Sequence, residues 1–261
     1  MMAERRCANG RFRVLVVVAG ILRAGSSSAS CTSPKPAGAC RPESLALPNM
    51  NTFEVDRMRP NDQHAAVVTL ARAFHCDPLF NFLIPNVLSQ ARAALTFMGS
   101  LVADAGQFGE VWVARTEDAI VGAAVWLPPG SYPRGARRDA ANYLRDMRSV
   151  ARLGRQTFAG MRLESVIQRA HRHVTEPHWY LGLVGSDPGF QGRGAGSALL
   201  APVIDRCDEQ GVLAYLETQK AENLPWYQRH GFEVVDKLDA RGCPSMWTMG
   251  REPEPLARVG H

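Results

Sequence analysis

Gln191-Gly192-Arg193-Gly194-Ala195-Gly196 follows the apolar run Trp179-Tyr180-Leu181-Gly182-Leu183-Val184 and precedes Ser197-Ala198-Leu199-Leu200, which opens an apolar helical face. The run reads as a buried strand, so the order is strand, glycine-rich turn, helix N-terminus. Such a junction is an anion cradle. Unpaired N–H groups point out of the helix end, the dipole adds partial positive charge, and glycine lets a phosphate approach the main chain. No Lys-Ser or Lys-Thr pair follows the glycines, which excludes a P-loop. Gly192, Gly194 and Gly196 alternate as G-x-G-x-G late in the chain, which is not the dinucleotide-binding spacing of an early βαβ unit. Gln191, Gly194 and Gly196 do fit Q/R-x-x-G-x-G/A. A turn that has only to be tight would use the same glycines, and a match this short recurs by chance.

Downstream residues decide between those readings. Gln210-Gly211 ends the helix with glycine where a left-handed cap is usual, and Val212 to Thr218 reads as a second buried strand ending in Glu217-Thr218. Then comes Asn223-Leu224-Pro225-Trp226-Tyr227-Gln228-Arg229-His230-Gly231-Phe232, ahead of the strand-like Glu233-Val234-Val235. Four-residue spacing puts Asn223 and Tyr227 on one face of a short helix that Gly231 closes. The two motifs, in this order and separation, resemble those of the GNAT (GCN5-related) N-acetyltransferases. Further segments across residues 53–252 resemble the puromycin N-acetyltransferase group within that family. They include Leu70-Ala71-Arg72-Ala73-Phe74, Ala124-Val125-Trp126, Glu176-Pro177-His178-Trp179-Tyr180-Leu181 and Met246-Trp247-Thr248-Met249. Pro202 falls inside the helix after the glycine turn, at a cost of about 3 kcal/mol. A proline at the matching place is shared with that group.

The resemblance implies an α/β (α+β) GNAT fold: a mixed, mostly antiparallel sheet flanked by helices, with a splayed strand pair holding acetyl-CoA. It implies that main-chain groups of Leu183 and Val184 pair with the pantetheine arm and polarise the thioester carbonyl. Gln191, Gly192, Arg193, Gly194, Ala195, Gly196 and Ser197 would hold the pyrophosphate, and Asn223 the arm. Tyr227, neutral at pH 7, would protonate the departing sulfur, although a tyrosine here could equally pack a last helix. Glu217 ends its strand on the acceptor side. It could anchor an ammonium, take its proton directly or through water, or be a partly exposed strand-end acid. Trp126, Trp179 and Tyr180 could stack on a flat acceptor or belong to the core. The reaction implied is direct acetyl transfer in a ternary complex to a primary amine of a small molecule, a puromycin-like aminonucleoside among the candidates. Acetylation of a protein N-terminus or lysine, or acyl-CoA sensing without catalysis, remain alternatives, because cofactor motifs say little about acceptors.

Charge and composition bound the rest. Seven basic residues (Arg5, Arg6, Arg11, Arg13, Arg23, Lys35, Arg41) and two acidic ones (Glu4, Glu43) lie in the first 50, so 23 of each sign remain. A neutral remainder gives a nucleic-acid partner no electrostatic footprint. Val14 to Leu22 is too short to span a membrane as a helix. With the arginines before it and the Ser/Ala-rich stretch up to Cys31, it reads as a secretory or lipoprotein signal, a mitochondrial presequence, or a dispensable extension ahead of Met50. Use of acetyl-CoA points to the cytoplasm. The expected organisation is an extension over 1–50, the catalytic domain over 51–252 and a frayed tail over 253–261, in a monomer or homodimer.

Cys7, Cys31, Cys40, Cys76, Cys207 and Cys243 include no C-x-x-C pair, and Cys207 falls in the helix after the glycine turn. His171-Arg172-His173 with His178 does not read as a metal site, because an H-x-H on a helix points its rings to different faces. No metal is expected. Strands are expected at 53–57, 110–115, 119–127, 232–237 and 244–250. Helices are expected at 61–75, 88–105 and 136–172, the last with an arginine-rich face from Arg137 to Arg162.

Overall fold

The hairpin of β2 (Glu110–Arg115) and β3 (Ile120–Leu127) centres the sheet, because β3 is an unbroken apolar run buried on both faces. A strand of that composition needs cover on each side. The computed structural model describes residues 53–75, 77–83, 87–135, 137–138, 165–169, 171, 174–239 and 244–254. Within them, β1 (Glu54–Arg57), β4 (His178–Ser186), β5 (Leu213–Thr218), β6 (Glu233–Leu238) and β7 (Met246–Arg251) complete a seven-stranded sheet of order β1-β2-β3-β4-β5-β7-β6. All neighbours are antiparallel except β4 and β5. This is the mixed, mostly antiparallel sheet that the sequence predicts.

Two cores lie on opposite faces. Helices α1 (Gln63–Ala73) and α3 (Val87–Phe108) cover one, packing Leu70, Met98 and Val102 against Val111, Val113, Val125 and Leu183. The short α2 (Pro78–Leu83) joins them. Helix α4 (Ala195–Gln210) covers the other face, with Leu199, Leu200, Val203 and Cys207 against Trp126, Trp179, Leu181 and Leu216. α4 runs through Pro202 without ending, as expected, and closes at Gly211 with φ 65°. Burial pushes the Cys207 thiol up to about 12, as befits a packing residue. Two α1 and α3 termini differ from expectation. Residues 60–62 form a separate 3-10 turn, and α3 continues to Phe108.

The tail is not loose where it begins: the Glu254 N–H donates to the Asp208 carboxylate at 2.7 Å. Arg138, at the start of the arginine-rich face expected over 136–172, donates to buried Asp104 (Nε to Oδ1, 2.7 Å) and lies over the Phe108 ring. The extension 1–50, the arginines from 145 to 162 and the cysteines other than Cys207 lie outside the described residues. Among the described residues no helix is long and apolar enough to cross a membrane, and no three potential metal ligands cluster.

Candidate active site

β4 and β5 run in register from His178 opposite Leu213 to Leu181 opposite Leu216, and there the pairing stops. β4 continues to Ser186 along β3, past a register shift opposite Val125 and Trp126, while β5 turns away with β7. Beyond Leu181 the β5 side of β4 therefore has main-chain groups without a ladder partner. The V-shaped opening carries two cavities. One is a groove of about 600 Å³ lined by Val184, Gln191, Gly192, Gly194, Ala195, Gly196, Ser197, Asn223 and Tyr227. The other, of about 180 Å³, reaches the opposite side of the opening. Phe74, Asp77, Val184, Asn223 and Tyr227 line both.

The groove is built by the start of α4. Gly194 caps the helix at φ 89°, a conformation that disfavours any side chain. The first intrahelical bond seen is Ala198 N–H to the Gly194 carbonyl, so the N–H groups of Ala195, Gly196 and Ser197 are the helix's free donors. Gly196 is also constrained by packing. A Cβ on it would stand 3.0 Å from the Trp226 ring, so glycine lets the next helix pack against the cradle. Gln191 braces the turn by donating to the Ser186 carbonyl at 3.3 Å. Arg193 does not line the groove; its guanidinium lies over Phe190. Leu183 lines the smaller cavity instead. The Ser197 hydroxyl is 3.0 Å from His230 Nε2, a pairing the motifs did not indicate.

Tyr227 sits in α5 (Leu224–Gln228), which Pro225 starts and which Asn223 precedes. Its ring is buried between Trp226 and Phe232. Burial, and then the Asp77 carboxylate, push its phenol well above the usual tyrosine range. The hydroxyl therefore stays protonated at the junction of the two cavities.

The smaller cavity is walled by Phe74, Phe97, Leu101, Tyr132 and Tyr180, and Glu217 lies at its β5 end. The Glu217 side chain is only 4% exposed and takes His171 Nδ1 at 3.3 Å. Its carboxylate is thus buried, although the residue as a whole is partly exposed at the strand end. Burial, and then this carboxylate, raise the Tyr180 phenol well above its ordinary value. Trp126 and Trp179 lie away from this cavity, in the core on the α4 side. Alternation along β4 puts Tyr180 on the α3 face and Trp179 on the α4 face, where Arg206 covers it, and Trp126 is fully buried in that same core. Neither lines the cavity. Phe74, Asp77, Phe97, Tyr132 and His171 are brought in from distant parts of the chain; of these, only Phe74 and His171 lie in segments the sequence singled out, and for other reasons.

A sequence profile of the acetyltransferase (GNAT) family matches residues 96–232, just over half of the chain. An uncharacterized N-acetyltransferase of Schizosaccharomyces pombe is 33% identical over 85 residues, which are 31% of this chain and 34% of that protein. The chain thus matches about a third of that relative's length. Among solved structures, the histone acetyltransferase HPA2 and related acetyltransferase from Corynebacterium glutamicum superposes with a TM-score of 0.55 at 24% identity, covering 79% of this chain and 99% of that one. The polyamine N-acetyltransferase of Drosophila melanogaster, which forms N-acetylagmatine, gives 0.53 at 20% identity, covering 77% of this chain and 100% of that one. These likenesses are in the fold.

Proposed function

Because the chain belongs to the GNAT acetyltransferase family, we propose that it transfers the acetyl group of acetyl-CoA to the primary amine of a small molecule. The observation that carries this reading is the meeting of the open groove and the small aromatic-walled cavity at Tyr227. The groove has the chemistry for the cofactor. Free N–H groups at the start of α4 suit a pyrophosphate, and the unpaired side of β4 suits an extended amide chain. Acetyl-CoA supplies the activated thioester.

The residues of the chain do the rest. Glu217 takes a proton from the ammonium, leaving the nitrogen lone pair free to attack. Asn223 and the β4 main chain at Leu183 and Val184 hold the arm in line. Tyr227 gives its proton to the sulfur as it leaves. The reaction is a direct attack with both substrates bound, since the two cavities open onto one another. A cavity of about 180 Å³ closed by Phe97, Tyr132 and Tyr180 suits a compact amine, not a folded protein tail.

The test is thiol release from acetyl-CoA over a panel of amines: agmatine, spermidine, arylalkylamines, puromycin and a lysine peptide. Turnover should be confined to small amines. Acetylation of the peptide alone would replace this reading with protein acetylation, and acetyl-CoA binding without turnover would make the chain a sensor.

A further inference from the structure

Two buried histidines continue the hydrogen-bond line that starts at Glu217. His171 Nδ1 is 3.3 Å from Glu217 Oε1, and His171 Nε2 is 2.7 Å from His178 Nε2. His178 Nδ1 is 2.7 Å from the Glu176 main-chain carbonyl, so it must donate there. That assignment makes His178 Nε2 an acceptor and requires a proton on His171 Nε2. The remaining proton of the line then lies between His171 Nδ1 and Glu217 Oε1. Burial, ahead of the other influences, lowers the His178 imidazole and keeps it neutral, in agreement with this order. Glu176 and Tyr215 line a second, open groove at the N-terminal ends of β4 and β5, while Glu217 lines the acceptor cavity near the C-terminal end of β5.

We propose that His171 and His178 are a proton relay that drains Glu217 along the sheet into that second groove. The inference rests on the amine acetylation argued above. An ammonium acceptor loses two protons in becoming an amide, and one of them ends on the sulfur. The other must leave a cavity closed by Phe97, Tyr132 and Tyr180. In the relay, the amine's proton enters on Glu217 Oε2 while the proton already held between Oε1 and His171 Nδ1 moves onto Nδ1. The proton on His171 Nε2 moves to His178 Nε2, and the one on His178 Nδ1 leaves to water beside Glu176. One proton enters and one exits, so the line has only to reset its tautomers. His171 is faced by Tyr132, Tyr180 and Tyr215 at ring-centroid distances of 4.5, 5.0 and 4.8 Å. Those phenols hold their protons: burial raises Tyr180 and Tyr215 first, and the nearby Glu217 charge adds to it. The charged groups elsewhere in the cavity wall have partners of opposite sign, Arg134 with Asp104 and Asp77 with Lys220.

His171→Gln and His178→Gln, each with the amine that the wild type turns over, test the relay. Both should keep acetyl-CoA affinity and lose at least about tenfold in kcat at neutral pH. The loss should shrink as pH rises and hydroxide accepts the proton, and added imidazole should restore part of it. A kcat–pH profile that overlays the wild type, or a deficit equal at every pH, would overturn the relay. The wild-type proton NMR spectrum gives a readout without turnover or a variant. The His171–His178 bond should hold one slowly exchanging, low-field imidazole proton, and a spectrum without it would also sink the proposal. A wild type inert to every amine would instead overturn the acetylation reading, whatever the spectrum shows.

Discussion

Tyr227 is placed by three neighbours: Trp226 beside it, Phe232 beyond it and Asp77 across the opening. The Asn223-to-Tyr227 spacing was legible because a helical repeat is a local property. The phenol's environment was not, because Asp77 comes from another part of the chain. If the phenol delivers the proton to sulfur, Tyr227→Phe should lower kcat by at least about tenfold. Calorimetry should find acetyl-CoA affinity unchanged, since the ring remains; unaltered turnover would remove Tyr227 from the acid role. The sign of the pKa shift adds a second expectation. With the folded-state value raised, the acid form persists as pH rises past 10, so the wild-type kcat should show no basic limb from Tyr227 up to that pH. Glu217 was visible as a residue but not as a buried acid. Its partner His171 precedes it by 46 positions, and no repeat or spacing links the two.

Helix α4 is where local chemistry and function coincide. Its start requires a left-handed residue at 194 and a small one at 196, for backbone angle and for Trp226 respectively. Both requirements are short-range, which is why the glycine turn could be read as a strand–helix junction with its boundaries nearly right. The splay of β4 from β5 was available only by resemblance. It arises where β4 stays with β3 and β5 stays with β7. Gly194→Val would force a branched side chain into φ 89° at the mouth of the groove, straining the helix start by about 1–3 kcal/mol. Acetyl-CoA binding should fall by more than tenfold while the far end of α4 keeps its helicity. Titration calorimetry and circular dichroism separate the two, and tight binding would refute the cradle.

The molecule as a whole is tied together by Arg251 at the end of β7. Its guanidinium is 5% exposed and meets Asp208 of α4 at 2.6 and 2.9 Å, while Nε donates to the His230 carbonyl beyond α5. That one side chain joins helix α4, the last strand and the turn after α5. Removing one member of such a pair strands the other, at about 3 kcal/mol. Asp208→Asn should therefore lower Tm without changing the acceptor preference. The Arg251 hydrogen bond holds the Asp208 carboxyl below its ordinary value. Its contribution is thus complete above about pH 4 and is lost as pH falls through the lowered value. Thermal melts of the variant should show a flatter decline across that acid range than the wild type.

Such long-range ties, like the walls of the acceptor cavity, join residues that no window of sequence shows together. Those walls have one further consequence. Phe74, Asp77, Val184, Asn223 and Tyr227 belong to both cavities, so the side of the amine pocket facing the groove is open until something lies in the groove. An amine arriving first would meet three sides of a room, and one arriving second would meet four. Initial-rate kinetics should therefore be sequential with compulsory order: acetyl-CoA first, the amine second, and free CoA the last to depart.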